Sequence, residues 1–256
     1  MITGIRLPAL RQVIIWLVII SVLSFSIGTA ISILEKGSYR PIEQETVTPI
    51  QITPGDITHA SINLKLDSGR INISAGGKEN LISGVIEGRN AKNGPDLSYT
   101  SMGKVGYLNV TQESTLWFDP ISKEDYWNLS LGQDVPTSLY IQIGSGDLVL
   151  RPGKTNLTDL SVNQGTGDLT IDLTEWRGAH LLSSIDGGVG RISIILPPGT
   201  SIASRVEAGI GSRTISGLEG EEGIYYHLIP DRQVPVISLS VNQGIGDFTM
   251  KVADGS

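Results

Sequence analysis

The stretch Leu160–Leu173, LSVNQGTGDLTIDL, returns almost unchanged at Leu239–Val252 as LSVNQGIGDFTMKV. Leu169, Ile171 and Leu173 alternate with Thr170 and Asp172 in the first copy. Phe248, Met250 and Val252 alternate with Thr249 and Lys251 in the second. Alternation at period two gives a strand one apolar and one wet face. The glycines between the two halves of each copy mark a corner. The same punctuation recurs as GSGD at Gly144, GTGD at Gly165, GVGR at Gly188, GIGS at Gly209 and GIGD at Gly244, with a related DSGR at Asp67. The five motifs are spaced by 21, 23, 21 and 35 residues, the last interval holding an insertion over 219–235.

A unit this short cannot bury its own apolar face, so it must stack on its neighbours. Propeller blades need about 40 residues, whereas a parallel β-helix coil fits the observed period. Propeller and sandwich are the alternatives. Outside the repeats the same alternation places Ile62, Leu64, Leu66, Ile71, Ile73, Leu139, Ile141, Ile143, Ile237, Leu239 and Val241 on one face. Beyond Asp56 no ten-residue stretch carries a helical period. The expected fold is all-β, a parallel β-helix or solenoid, right-handed as parallel crossovers are. Glycine suits its corners because the missing Cβ spares a clash with the coil above. The fourth corner position reads Asp147, Asp168, Arg191, Ser212 and Asp247, with Arg70 from the outlying copy. Asp168 should lie between Asp147 and Arg191. The carboxylates are expected to close their own turns as Asx motifs. Calcium is disfavoured, since Ile192 stands where the calcium-binding nonapeptide has Asp and hard cations need several converging oxygens.

Upstream the pattern differs. From Gln12 to Leu34 there is no charged residue. Residues 13–34 would form about 33 Å of helix, matching a hydrocarbon core of about 30 Å. The reading is therefore one N-terminal transmembrane helix. Arg6 and Arg11 precede it and mixed charges follow, which puts the N-terminus in the cytoplasm and the β domain outside. A cleaved signal peptide, with Gly28 and Ala30 before the cut, is the competing reading, but the apolar run exceeds the usual length. The chain thus divides into a cytoplasmic stub and signal-anchor helix (1–34), an extended linker with three prolines (35–55) and the β-helix domain (56–254).

Composition narrows the function classes. There are no cysteines and three histidines, His59, His180 and His227, with no metal-binding spacing. Disulfides, thiolate metal centres and a conventional triad are excluded or disfavoured. The net charge of −7 hides a +2 N-terminal segment, so residues 35–256 carry 17 basic against 26 acidic side chains. That acidic body argues against nucleic acid. Ser145 lacks a nucleophile-elbow context, and no Gly-x-Gly opens a helix after a strand, which removes nucleotide folds. Asp147 and Asp168 are a paired-carboxylate candidate for glycoside chemistry, but solvated turn carboxylates would look the same. No cofactor and no enzymatic activity are expected.

Trp127–Gly146, WNLSLGQDVPTSLYIQIGSG, together with the GxGD strands after it, resembles the toast-rack β-helix family. That family includes the extracytoplasmic domains of LiaF-type envelope-stress regulators and many adhesin-like proteins. SGRINISAGGKENLISGVIEG (68–88) and PDLSYTSMGKVGYLNVTQ (95–112) agree as well. The resemblance implies a β-helix in a surface or regulatory setting and brings no catalytic residues with it. LiaF-type proteins usually carry several membrane helices, unlike the single span here.

The expected function is a non-catalytic binding, scaffold or regulatory module, as an accessory subunit of a membrane complex or an envelope-stress system. An adhesin-like or glycan-binding surface protein is the alternative, and a polysaccharide-active enzyme a more distant one. Its partners would be the bilayer, through residues 13–34, and proteins in or near the membrane. Trp117, Phe118, Tyr126 and Trp127 cluster within eleven residues, and every solenoid needs its end covered. They are read first as such a cap and second as partner contacts, because interfaces favour Trp and Tyr. Tyr225 and Tyr226, in the long insertion, are the other candidate contacts. Asn72, Asn109, Asn128 and Asn156 head N-x-S/T triplets that would matter only in a glycosylating host.

Overall fold

The computed structural model describes residues 46–88, 95–112, 125–229 and 236–254. The expected membrane helix, with Trp117 and Phe118, lies outside them, and among the described residues no helix is long and apolar enough to cross a membrane. The described residues form eighteen strands. The first six are β1 (Thr46–Ile52), β2 (His59–Ala75), β3 (Ile82–Gly88), β4 (Asp96–Met102), β5 (Val105–Gln112) and β6 (Asp125–Leu131). Next come β7 (Thr137–Ser145), β8 (Leu148–Arg151), β9 (Leu157–Thr166), β10 (Leu169–Asp172), β11 (His180–Val189) and β12 (Ile192–Leu196). The last are β13 (Ser201–Ile210), β14 (Arg213–Ser216), β15 (Glu219–Glu221), β16 (Ile224–His227), β17 (Val236–Ile245) and β18 (Phe248–Val252).

Each GxG corner divides a coil between two sheets. One sheet runs β4–β5–β2–β7–β9–β11–β17–β13–β16–β15 and the other β1–β3–β6–β2–β8–β10–β12–β18–β14. Strands of successive coils pair in parallel. Among the described residues, every antiparallel pairing involves one of the outer strands β1, β3, β4, β15 or β16. β1 already pairs with β3 inside the segment read as a linker, so the folded body starts by Thr46 rather than Asp56.

The alternating aliphatics point inward as the periodicity requires. Trp127, Ile71, Leu148, Leu169, Ile192 and Phe248 form one inner column of the second sheet, all buried. Each such side chain contributes roughly 1.5–3 kcal/mol on leaving water. At the corners two glycine columns run up the stack. A Cβ on Gly165 would land on the Gly144 carbonyl oxygen, and one on Gly167 on that of Gly146. Gly167 also has φ +125°, a conformation that L side chains rarely adopt.

The coils are not stacked in chain order. The last coil, β17–β18, inserts between β11–β12 and β13–β14. Four columns give the reason, because the coils from β9 onward come in two alternating kinds. Along the inner face the order is Leu160, Ser183, Leu239, Ser204, and at the inner corner Gln164, Gly187, Gln243, Ala208. Along the outer face it is Asn163, Asp186, Asn242, Glu207. The fourth corner position reads Asp168, Arg191, Asp247, Ser212. Chain order would set Asp186 against Glu207, a like-charge pair that repels. It would also stack two small corner residues where a glutamine now fills the space. Gln243 uses that space to donate from Nε2 to the Gly190 carbonyl at 2.7 Å, as Gln164 does to Gly146.

Candidate binding face

The corner carboxylates correct the Asx expectation. Asp147 Oδ1 accepts from the Asp168 backbone N–H at 3.0 Å, Asp168 Oδ1 from that of Arg191 at 3.0 Å, and Asp247 Oδ1 from that of Ser212 at 3.2 Å. Each therefore fastens its own coil to the next instead of closing its own turn. Arg70 and Arg191 flank the Asp147–Asp168 pair, at 3.4 and 3.3 Å. The Ser212 hydroxyl donates to Asp247 at 2.7 Å. That bond, with the Ser212 N–H and the nearby Arg191 charge, holds the Asp247 carboxyl below its ordinary value against a small opposing desolvation. Both carboxylate oxygens of Asp147 and of Asp168 are engaged in these contacts between coils.

His59, Ser138 and Asp159 do meet. His59 Nε2 lies 3.0 Å from Ser138 Oγ, which donates to Asp159 Oδ2 at 2.8 Å, and Thr158 donates to the same oxygen. The serine sits between the other two. Its one proton points to the carboxylate rather than to the imidazole. The geometry ties three strands together and does not activate a nucleophile. Among the described residues no three His, Asp or Glu side chains converge as a metal site.

The sequence-derived contacts separate. Trp127 is 0% exposed, its indole N–H donating to Gln112 Oε1 at 3.1 Å, while Gln112 Nε2 donates to Asp125. It fills the coil interior near one end of the stack, and its ring is withheld from any partner. Tyr126, next to it on β6, points outward and is exposed. Tyr225 is buried over Ser204, which donates to its carbonyl. Tyr226 faces solvent.

Tyr226 belongs to a trough of about 790 Å³ on the outer face of the first sheet. Its floor is small: Ser161, Ser184 and Ser240 share one row, and Ser238 and Ala203 lie in the next with Leu182. On one side stands Tyr140. On the other, β16 and the residue after it present Ile224, Tyr226 and Leu228 in alternation. Exposure is 42% for both Tyr140 and Tyr226, 50% for Leu182, 55% for Ile224 and 66% for Leu228. Five strand spacings separate the two walls, about 24 Å. The trough carries one charge of each sign, Arg205 and Asp159. Two residues further along the strands lies a polar strip with Asp186, Glu207, Asn163 and Asn242, where Asn242 donates to Asp186 at 2.8 Å.

Tyr140, Leu182, Ile224 and Leu228 were not singled out from sequence. The signal was present. Tyr140 and Leu182 are large apolar residues on the wet positions of alternating strands, where Gln142 and Ser184 set the norm.

Comparison with known proteins places this architecture. The family model described as the N-terminal domain of toast_rack, DUF2154, matches residues 39–195. The chain belongs to the toast-rack family. The matched residues end within β12, so the intercalated last coil and the hairpin β15–β16 lie beyond them. Among solved structures, a candidate cell adhesion protein from Clostridium sporogenes ATCC 15579 is 24% identical, with a TM-score of 0.75 over 82% of this chain and 100% of that one. That similarity establishes the fold. A candidate adhesin from Bacteroides fragilis NCTC 9343 is 14% identical over 84% of this chain and 100% of that one, with a TM-score of 0.32. No curated protein matches the chain.

Proposed function

We propose that this toast-rack domain is held outside the cytoplasmic membrane by a helix over residues 13–34 and works by contact, with the trough as its binding face. The observation that carries this reading is the wall Ile224–Tyr226–Leu228 facing Tyr140 across a serine floor. Large contiguous apolar surface is costly to expose and marks interaction sites. Aromatic side chains beside small ones give a partner both area and room. The partner would be a protein in or near the membrane, as in a regulatory or accessory subunit of a larger complex. The uncharged run 13–34, with Arg6 and Arg11 before it, supports the tether and its orientation.

A glycan-binding, adhesin-like role is the second reading. It is favoured by the two tyrosines set about 24 Å apart over a ladder of serine hydroxyls.

Mild detergent extraction of the full chain from its native host tests the first reading, with the Tyr226→Ala, Leu228→Ser double variant beside the wild type. Co-migration of the wild type with a stoichiometric membrane protein, lost at least tenfold in the variant, is the expected result. Migration of the wild type alone would rule out a stable complex and move the glycan reading forward.

A further inference from the structure

The C-terminal coil has an unusual position in the stack. It follows the other coils in sequence, yet it lies inside, paired on both edges in both sheets. β17 takes β11 on one side and β13 on the other, and β18 takes β12 and β14. The coils that enclose it precede it in sequence and are joined to each other by Pro197–Thr200 alone. The slot it fills is therefore bounded on both sides by residues that precede it in sequence.

The slot is selective. It needs a coil with leucine, glutamine, asparagine and aspartate where its neighbours have serine, glycine or alanine, acid, and Arg191 or Ser212. Residues 236–252 supply that set, and so would the same residues of another copy. The length of chain between hairpin and coil also permits exchange. His227 and Val236 flank adjacent positions of β13, Ile202 and Ser201, on its opposite edges. They are thus about two strand spacings, or 10 Å, apart, whereas the eight residues 228–235 reach about 28 Å when extended.

The outermost coils carry added strands at their edges. β4 covers β5, while β3 and β1 cover β6. At the other end the hairpin β15–β16 covers the start of β13. There Arg213 occupies the inner column filled by Ile192 and Phe248 in the coils before it. An inward-pointing charge on a terminal strand blocks further pairing.

We propose that the C-terminal coil is an exchangeable element, by which copies of this chain associate through lending residues 236–252 to one another's slot. The exchanged and closed forms make the same contacts within the slot, so the balance is set by the local concentration of copies during folding. The proposal stands apart from the trough and would survive the loss of that reading.

The chain has no cysteine, which permits a direct test in full-length protein. Ser193 and Thr249 are register partners on the outer side of β12 and β18. In the Ser193→Cys, Thr249→Cys variant a closed molecule oxidises within one chain and an exchanged pair between two. Refolding over a rising concentration series, then oxidation, should give disulfide-linked dimer that grows with concentration. It should exceed the dimer from either single variant at least tenfold. Intrachain product alone, at every concentration, would overturn the proposal. A second measurement needs no substitution. Tagged and untagged wild-type chains, unfolded together and refolded as a mixture, should co-purify, while the same chains refolded separately and then mixed should not. Failure of the jointly refolded chains to co-purify would also overturn it.

Discussion

A single methyl group is decisive at the corners. Gly167→Ala would place a Cβ on the Gly146 carbonyl and force an L residue to φ +125°. The expected loss is about 4 kcal/mol or more, read by denaturant titration; a loss near that of an ordinary surface change would mean the coils are less tightly apposed. Ile171, buried in the inner column, should not tolerate Asp, because an unpaired charge would enter the core. A folded Ile171→Asp protein, by circular dichroism, would contradict the inward assignment. Asp247 adds a pH signature. Its folded pKa is lowered, so its contribution is complete above the ordinary 3.8 and fades as pH falls from there through the folded value. The stability gap between wild type and Asp247→Asn should be widest near neutrality and close in acid. Much of this scale was readable in the sequence, because glycine positions and period-two aliphatics follow from sterics and burial. The destination of the Asp carboxylates was not, since an acceptor serves its own turn or a neighbour's N–H equally well. Trp127 was ambiguous for a similar reason: one aromatic suits a core and an interface alike.

At the scale of elements, parallel strands and coil boundaries followed from the repeat period, but stacking order did not. The period says that units stack and leaves open which unit meets which. The missing information lay in the differences between repeats: Gln164 and Gln243 against Gly187 and Ala208, and Asn163 and Asn242 against Asp186 and Glu207. If charge alternation helps set the order, Asn242→Asp should line up three carboxylates and destabilise the fold by about 1 kcal/mol. The deficit should shrink in high salt, which screens exposed charges. A salt-independent change would show that repulsion is not its cause. The terminal coil is adapted in its own way. Arg213→Leu would complete the apolar column and should drive end-to-end association, visible by analytical ultracentrifugation; an unchanged monomer would remove that role from the arginine.

Among the described residues, the outer face of the first sheet turns Tyr140, Leu182, Ile224, Tyr226 and Leu228 outward. Tyr226, in the insertion over 219–235, lines one wall of the trough. The opposite wall, Tyr140, comes from a strand five spacings away, and only the stacking order brings the two to one face. That separation in sequence is why the trough could not be assembled from motifs. Site-specific photocrosslinking in the native host reads out whether this face meets a partner, with p-benzoylphenylalanine placed at Leu182 or Tyr226 and, as the control on the other sheet, at Lys251. A discrete adduct from Leu182 and Tyr226 and none from Lys251 is the expected result. No adduct at the trough, or the same adduct from Lys251, would contradict it.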